Sequence, residues 1–278
     1  MKSISSSRKQ NARSPELGLR VASFAFILVM VVIPMIVILQ DAFREGFDEF
    51  WRQVTFPVAA HAILLTLWTS ALMTLINAIM GLATAFVLVR YDFPGKGALN
   101  AIIDLPLAIP TLVTGVMLVI LYGPQQILGQ FLDQQIGFQV IFAPPGIVLA
   151  LLFITFPFVV RTIQPVLLEL DIQQERAAAT LGARGWPIFR RIIFPALALP
   201  TLSGSLLSFA RAVGEFGAVV IVAGNIPFRS QTAAVYVLGA VESENRLAAS
   251  AVSVVLIIIS LLVILFTNAI IRRRRAYK

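Results

Sequence analysis

Two charged residues, Arg211 and Glu215, stand inside the otherwise apolar stretch SFARAVGEFGAVVIVAG. A lone arginine at the centre of a bilayer costs at least about 2.5 to 3.5 kcal/mol on insertion scales. On a helix, a spacing of i and i+4 puts both side chains on one face, where they can neutralise each other. Two readings follow. The pair is a structural ion pair, or Arg211 faces a cavity, draws an anion in, and exchanges partners with Glu215 as the cavity opens and closes. The hydroxyls of Ser203 and Ser205 just before this stretch and of Ser208 at its start, with Thr111 and Thr114 in an earlier apolar run, could line such a path. Close helix packing by small residues explains them equally well, and Gly204, Gly214 and Gly217 read as packing residues too. Asp104 is placed to pair with an arginine of an inner loop.

A second group is ERAAATLGARGWPIFRRIIFP, residues 175–195, where four arginines and a run of alanines interrupt a chain otherwise fit for lipid. Ala177, Ala178 and Ala179 favour helix and let another backbone approach closely; Gly182 sits where positive φ would end that helix. Trp186 and Pro187 suit a fresh start, with proline in the first turn. In this second short helix Ile188, Phe189, Ile192 and Ile193 fall within about 140° of one another, while Arg190 and Arg191 point elsewhere. Such a helix can rest on anionic lipid or dock in a groove of a cytoplasmic partner, and physics alone leaves both open.

Other chemistry is excluded. The chain has no cysteine, so disulfides and thiolate sites are absent, and one histidine, His61, reads as an interfacial residue rather than a metal ligand or catalytic base. Gly95-Lys96-Gly97 is not a phosphate loop: Arg90 stands where the first glycine belongs and no hydroxyl follows the lysine. The net charge of +8 comes without a basic face interleaved with aromatics, so nucleic acid is not the expected partner.

The elements that must position these residues are membrane spans. Of 278 residues 58% are hydrophobic and 13% charged, with a mean hydropathy of +0.89. About 20 apolar residues cross a bilayer as a helix. Six such stretches are expected, at about 21–39, 61–89, 98–122, 143–160, 195–224 and 247–271, making an all-α, polytopic chain. Residues 1–20 read as a disordered cytoplasmic tail, residues 40–57 as an interfacial outer loop, 162–194 as an inner loop, and 272–278 as a basic tail. With both termini inside, the cytoplasmic segments hold 17 of the 22 lysines and arginines, which satisfies the positive-inside rule.

AAATLGA followed by IIFP resembles the signature loop of bacterial ABC importer permeases, which contains the coupling helix that docks on the ATP-hydrolysing subunit. The resemblance implies docking roles for Glu175, Ala177, Ala178, Gly182, Ala183, Trp186, Phe189, Arg190 and Pro195. Aligned on Gly182, Arg176 stands where the family places its glutamate and Glu175 comes one residue earlier, so an ion pair made by that glutamate is not expected to carry over. SFARAVGEFGAVVIVAGNIP, IPFRSQTAAVYVLGAVESEN and LPLAIPTLVTGVMLVILYG are similar to the sulfate and molybdate permeases, most of all to the T subunits of the sulfate/thiosulfate branch, across residues 19–271. That likeness implies the type I importer permease fold and a location in the bacterial plasma (inner) membrane. The implied partners are a cytoplasmic ATPase dimer carrying ATP and magnesium, a homologous second permease subunit and a periplasmic sulfate-binding protein. No cofactor is expected on this chain, which would not itself be an enzyme. A molybdate or tungstate permease, or an ATP-independent secondary anion transporter, remain the alternatives.

Overall fold

In lipid each backbone N–H and C=O has to find its partner within the chain, so uncharged stretches this long fold as helices. The computed structural model describes residues 13–275, and all regular structure in them is helical. In chain order come α1 (Arg13–Ile27), a π segment (Leu28–Val32) and α2 (Ile33–Ala42), then α3 (Phe47–Thr55), α4 (Pro57–Arg90), α5 (Lys96–Ala108) and α6 (Thr111–Tyr122). They are followed by α7 (Ile127–Ile136), α8 (Pro144–Glu169), α9 (Ile172–Thr180), α10 (Gly185–Ile188), a second π segment (Phe189–Ile193) and α11 (Phe194–Val213). The chain closes with α12 (Gly217–Ala223), α13 (Ala233–Glu242) and α14 (Arg246–Arg275).

Both π segments have the same cause. Pro34 and Pro195 have no N–H to donate, and the turn ahead of each widens, with Ile33 N–H bonding Leu28 O and Phe194 N–H bonding Phe189 O. Neither proline ends its helix. Gly18–Ala42 and Gly185–Val213 therefore each run through as one helix long and apolar enough to cross a membrane.

Several expected boundaries move. Among the described residues five helices are long and apolar enough to cross, and the third expected span, 98–122, is made of α5 and α6, bent by 111° at residues 109–110. Pro110 accounts for the break, because it pushes Ile109 out of the helical region, to φ −81 and ψ 129. The fourth span does not close at residue 160. Helix α8 continues to Glu169, its added turns held by buried Ile163 and Leu167. The fifth span begins ten residues earlier than expected and stops at Val213, and 217–223 is a separate helix. Residues 13–20 are helical rather than a disordered tail, and 272–275 continue α14. The remainder of both expected tails, 1–12 and 276–278, lies outside the described residues. Helices α3, α7 and α13 lie outside the six expected spans.

Helices α4, α8 and α11 form the centre. Apolar side chains gain nothing by leaving lipid for protein, so membrane helices associate through close packing of small residues. A Cβ on Gly81 of α4 would lie 2.7 Å from Val159 Cγ1 on α8, and one on Gly204 of α11 would lie 3.0 Å from Val159 Cα. Both faces of α8 are thus closed around Val159. Toward the end where α4 and α8 finish, Ala85, Leu88, Ile103, Ile163, Leu167, Ile193 and Leu197 make one buried cluster, tying the start of the 185–213 helix to the bundle.

Candidate functional site

The loop read as cytoplasmic is built from its two helix ends. Asp171 caps α9, its carboxylate accepting from Gln173 N–H at 2.9 Å. At the other end Gly182 takes φ +86, with Gly182 N–H bonded to Ala179 O and Ala183 N–H to Ala178 O, both at 3.0 Å. This pair of bonds is the Schellman closure, which satisfies the last carbonyls of α9 and reverses the chain. At and just after this closure Leu181 and Trp186 are left 89% and 68% exposed, next to exposed Arg184, Arg190 and Arg191. An apolar, cation-rimmed knob results.

The loop is anchored behind the knob. Arg90, the last residue of α4, pairs with Glu175 of α9, both side chains more than four-fifths buried. Glu175 therefore does make an ion pair, against expectation, and its partner is the arginine that disqualified the phosphate loop. Phe189 does not point to the knob's outer face. Its ring stacks on Trp186 at 5.7 Å and meets Phe86 of α4 edge-on at 5.9 Å. Pro195, expected at the loop's end, lies inside the continuous helix. The expected second short helix is consequently the foot of the long helix that carries Arg211.

Arg211 lies in the last turn of α11 rather than mid-helix, and Glu215 is beyond the helix end. They still pair, Arg211 Nη1 to Glu215 Oε2 at 2.7 Å, because the chain turns back at Gly214. The other Glu215 oxygen accepts from Ala218 N–H at 3.1 Å, at the start of α12. Glu215 is buried, whereas the Arg211 side chain is 38% exposed. Exposure of a guanidinium to acyl chains is costly, and the Glu215 carboxylate neutralises the charge in place.

The hydroxyls are less united. Ser208 is buried and donates to Thr155 O on α8 at 3.2 Å, while Ser205 and Thr114 are buried with hydroxyls that find no partner. Thr111 packs on Gly217, and a Cβ on Gly115 would lie 2.8 Å from Ala218 O. These contacts press α6 onto α12 beside Glu215. Gly204 and Gly217 serve packing as expected, but Gly214 does not: a Cβ there would meet nothing within 4 Å. It sits at the helix end instead.

Of two further polar clusters, the sequence pointed to part of one and missed the other. Arg161 forks onto Asp104 of α5, Nε to Oδ1 at 2.7 Å and Nη2 to Oδ2 at 2.6 Å, and also bonds Asn100. Asp104 thus finds an arginine, on a helix rather than a loop. Inside the bundle Asn77 donates to Thr155 at 2.9 Å, linking α4 to α8. The available signal was the rarity of such residues in apolar runs.

Known proteins place the arrangement. Residues 77–276 match the model of the family described as binding-protein-dependent transport system inner membrane component. The chain belongs to that family. Within it, the chain is 43% identical over 248 residues to a probable sulfate transport system permease protein of Chlorokybus atmophyticus, covering 89% of this chain and 86% of that protein. It is 40% identical over 257 residues to the sulfate transport system permease protein of a Synechocystis strain, covering 92% and 90%. The Salmonella typhimurium sulfate transport system permease protein is 36% identical over 248 residues, 89% of each chain. In fold, this family member is similar to a chain of a bacterial alginate ABC transporter crystallised with a pentasaccharide-bound periplasmic protein, with a TM-score of 0.78, 19% identity, and 95% and 96% of the two chains covered. A chain of the MetNI methionine transporter, in inward-facing form, aligns with a TM-score of 0.56 at 18% identity, over 77% and 94%. The fold is that of an ABC importer permease, and the chain is a multi-pass membrane protein.

Proposed function

We propose that this chain is a permease subunit of an ATP-driven importer that carries sulfate, and with it thiosulfate, across the bacterial plasma (inner) membrane. The observation that carries the substrate is the run of relatives named for sulfate transport, at 36% to 43% identity over nine tenths of the chain. The partly exposed Arg211 at the end of an apolar helix suits a dianion.

In this reading the knob of Leu181 and Trp186 faces the cytoplasm, as do both termini, and docks on a separate ATPase dimer that holds ATP and magnesium. A homologous second permease subunit completes the path, and a periplasmic sulfate-binding protein delivers the anion. Gly185–Val213 is one helix, so Trp186 and Arg211 are ends of a single rod about 38 Å apart at 1.5 Å per residue. Movement of the docked foot is carried along that rod to the ion pair. There Glu215 tempers Arg211: a bare guanidinium would hold a dianion too firmly to release it, and transport needs release. Incoming sulfate takes the place of the Glu215 carboxylate at Arg211 while the path is open, and the carboxylate returns as the anion leaves.

Radiolabelled sulfate uptake, with unlabelled thiosulfate, molybdate and tungstate as competitors, tests the substrate. Sulfate and thiosulfate should compete at similar concentrations. Inhibition by molybdate alone at micromolar levels would make this a molybdate permease, and uptake by the isolated chain in liposomes under an ion gradient without ATP would remove the importer reading.

A further inference from the structure

Helix α3 lies between two crossings: the Gly18–Ala42 helix ends five residues before it, and Pro57–Arg90 begins two residues after it. Both ends are therefore held at the depth where a span meets the bilayer boundary. The helix is amphipathic in a particular way. At 100° per residue, Phe50 and Val54 share one edge, Phe47 and Trp51 sit about 60° and 100° round from Phe50, and Asp48, Glu49, Arg52 and Gln53 fill the opposite arc.

The bundle covers only part of the apolar arc. Phe50 and Val54 pack against Ala251, Val254 and Val255 of α14, leaving Phe47 and Trp51 64% and 56% exposed. With Phe43 they make a row of stacked rings, Phe43 to Phe47 at 6.3 Å and Phe47 to Trp51 at 6.4 Å. The polar arc is bonded within itself, Gln53 donating to Glu49 and Arg52 pairing with it, each at 2.6 Å.

We propose that the Phe43–Phe47–Trp51 row of α3 is a lipid-contact surface that lies in the headgroup boundary at the end of the first span and braces α14 against the bilayer surface. The placement decides the occupant. A protein arriving from water meets the polar arc, whereas the aromatic row faces sideways along the boundary, continuous with the exposed apolar surface of the preceding span, none of whose most apolar stretch is buried within this chain. Tryptophan suits that depth, with its ring in the acyl boundary and its indole N–H toward ester and phosphate oxygens.

The test uses the full-length chain in phosphatidylcholine vesicles. Trp68→Phe with Trp186→Phe leaves Trp51 as the sole tryptophan of the three. Its fluorescence should be lost more to lipid brominated near the headgroup than to lipid brominated near the chain end, and be shielded from iodide. Quenching by iodide without quenching by brominated lipid would overturn the proposal, and so would protection from both, which would mean that a second copy covers the row. A second measurement does not depend on those replacements: the chain has no cysteine, so Phe47→Cys and Arg52→Cys can each carry one nitroxide. Position 47 should be relaxed mainly by oxygen and position 52 by a water-soluble nickel chelate; equal responses would refute the orientation.

Discussion

Gly182 offers the sharpest test of the docking loop, because its conformation and its surroundings make separate predictions. Its φ of +86 is the left-handed region, which costs an L-residue about 1–2 kcal/mol. A Cβ there meets nothing within 4 Å, so alanine is penalised by backbone strain alone. A penalty of that size shifts the balance between the closed and frayed loop about fivefold to thirtyfold. Frayed, α9 loses the two bonds from Gly182 and Ala183, and the knob of Leu181 and Trp186 loses its fixed aim. Asparagine is larger than alanine but tolerates the left-handed region. The expected order of ATP-coupled sulfate uptake at matched membrane levels is therefore Gly, then Asn, then Ala, then Val, with Ala down severalfold. Val adds a rigid side chain at the docking surface and should abolish uptake while the protein stays in the membrane. Uptake kinetics with immunoblotting of membranes checks this. Val equal to Gly would refute the reasoning, and Asn as poor as Val would show that bulk rather than backbone conformation matters.

Three further outcomes are expected. Glu215→Gln keeps an acceptor for Ala218 N–H but removes the charge beside Arg211, so both KM and maximal uptake of sulfate should fall as the anion is held more tightly; unchanged kinetics would end the tempering role. Arg90→Ala and Glu175→Ala in a double-mutant cycle should couple by about 0.5 to 3 kcal/mol in thermal unfolding of the purified transporter, and additive losses would show that the pair does not anchor the loop. At α3, the hydrogen bonds from Gln53 and Arg52 hold Glu49 below its ordinary value of 4.5. Its stabilisation is therefore full above that value and lost as pH falls through the lowered native one. Trp51 emission in acid should report this loosening, and Glu49→Gln should abolish the pH dependence.

Much of this was legible from residue types and spacing. Stretches of uncharged residues specify helices in lipid whatever their neighbours, and the alanine run followed by Gly182 specifies a helix and its reversal, because both depend on local backbone preference. The charge asymmetry and the likeness of 175–195 to a coupling loop were equally open to reading. The ends of the spans were not. Apolar composition marks what tolerates lipid, but where a helix stops depends on caps, prolines and side-chain packing. Proline was read as a boundary at Pro195, yet a π turn carries the helix through it, while at Pro110 the chain bends by 111°.

What the sequence determined by itself was the all-helical membrane class, the family and the existence of an arginine and a glutamate close enough to pair. Only the tertiary structure decided that Arg90 holds Glu175 and Arg161 holds Asp104, that Trp186 and Arg211 share one helix, and that Glu215 also caps α12. The reason is distance along the chain. Local preferences act over a few residues, but Arg90 and Glu175 lie 85 positions apart and meet only after α4 and the inner loop have been packed together.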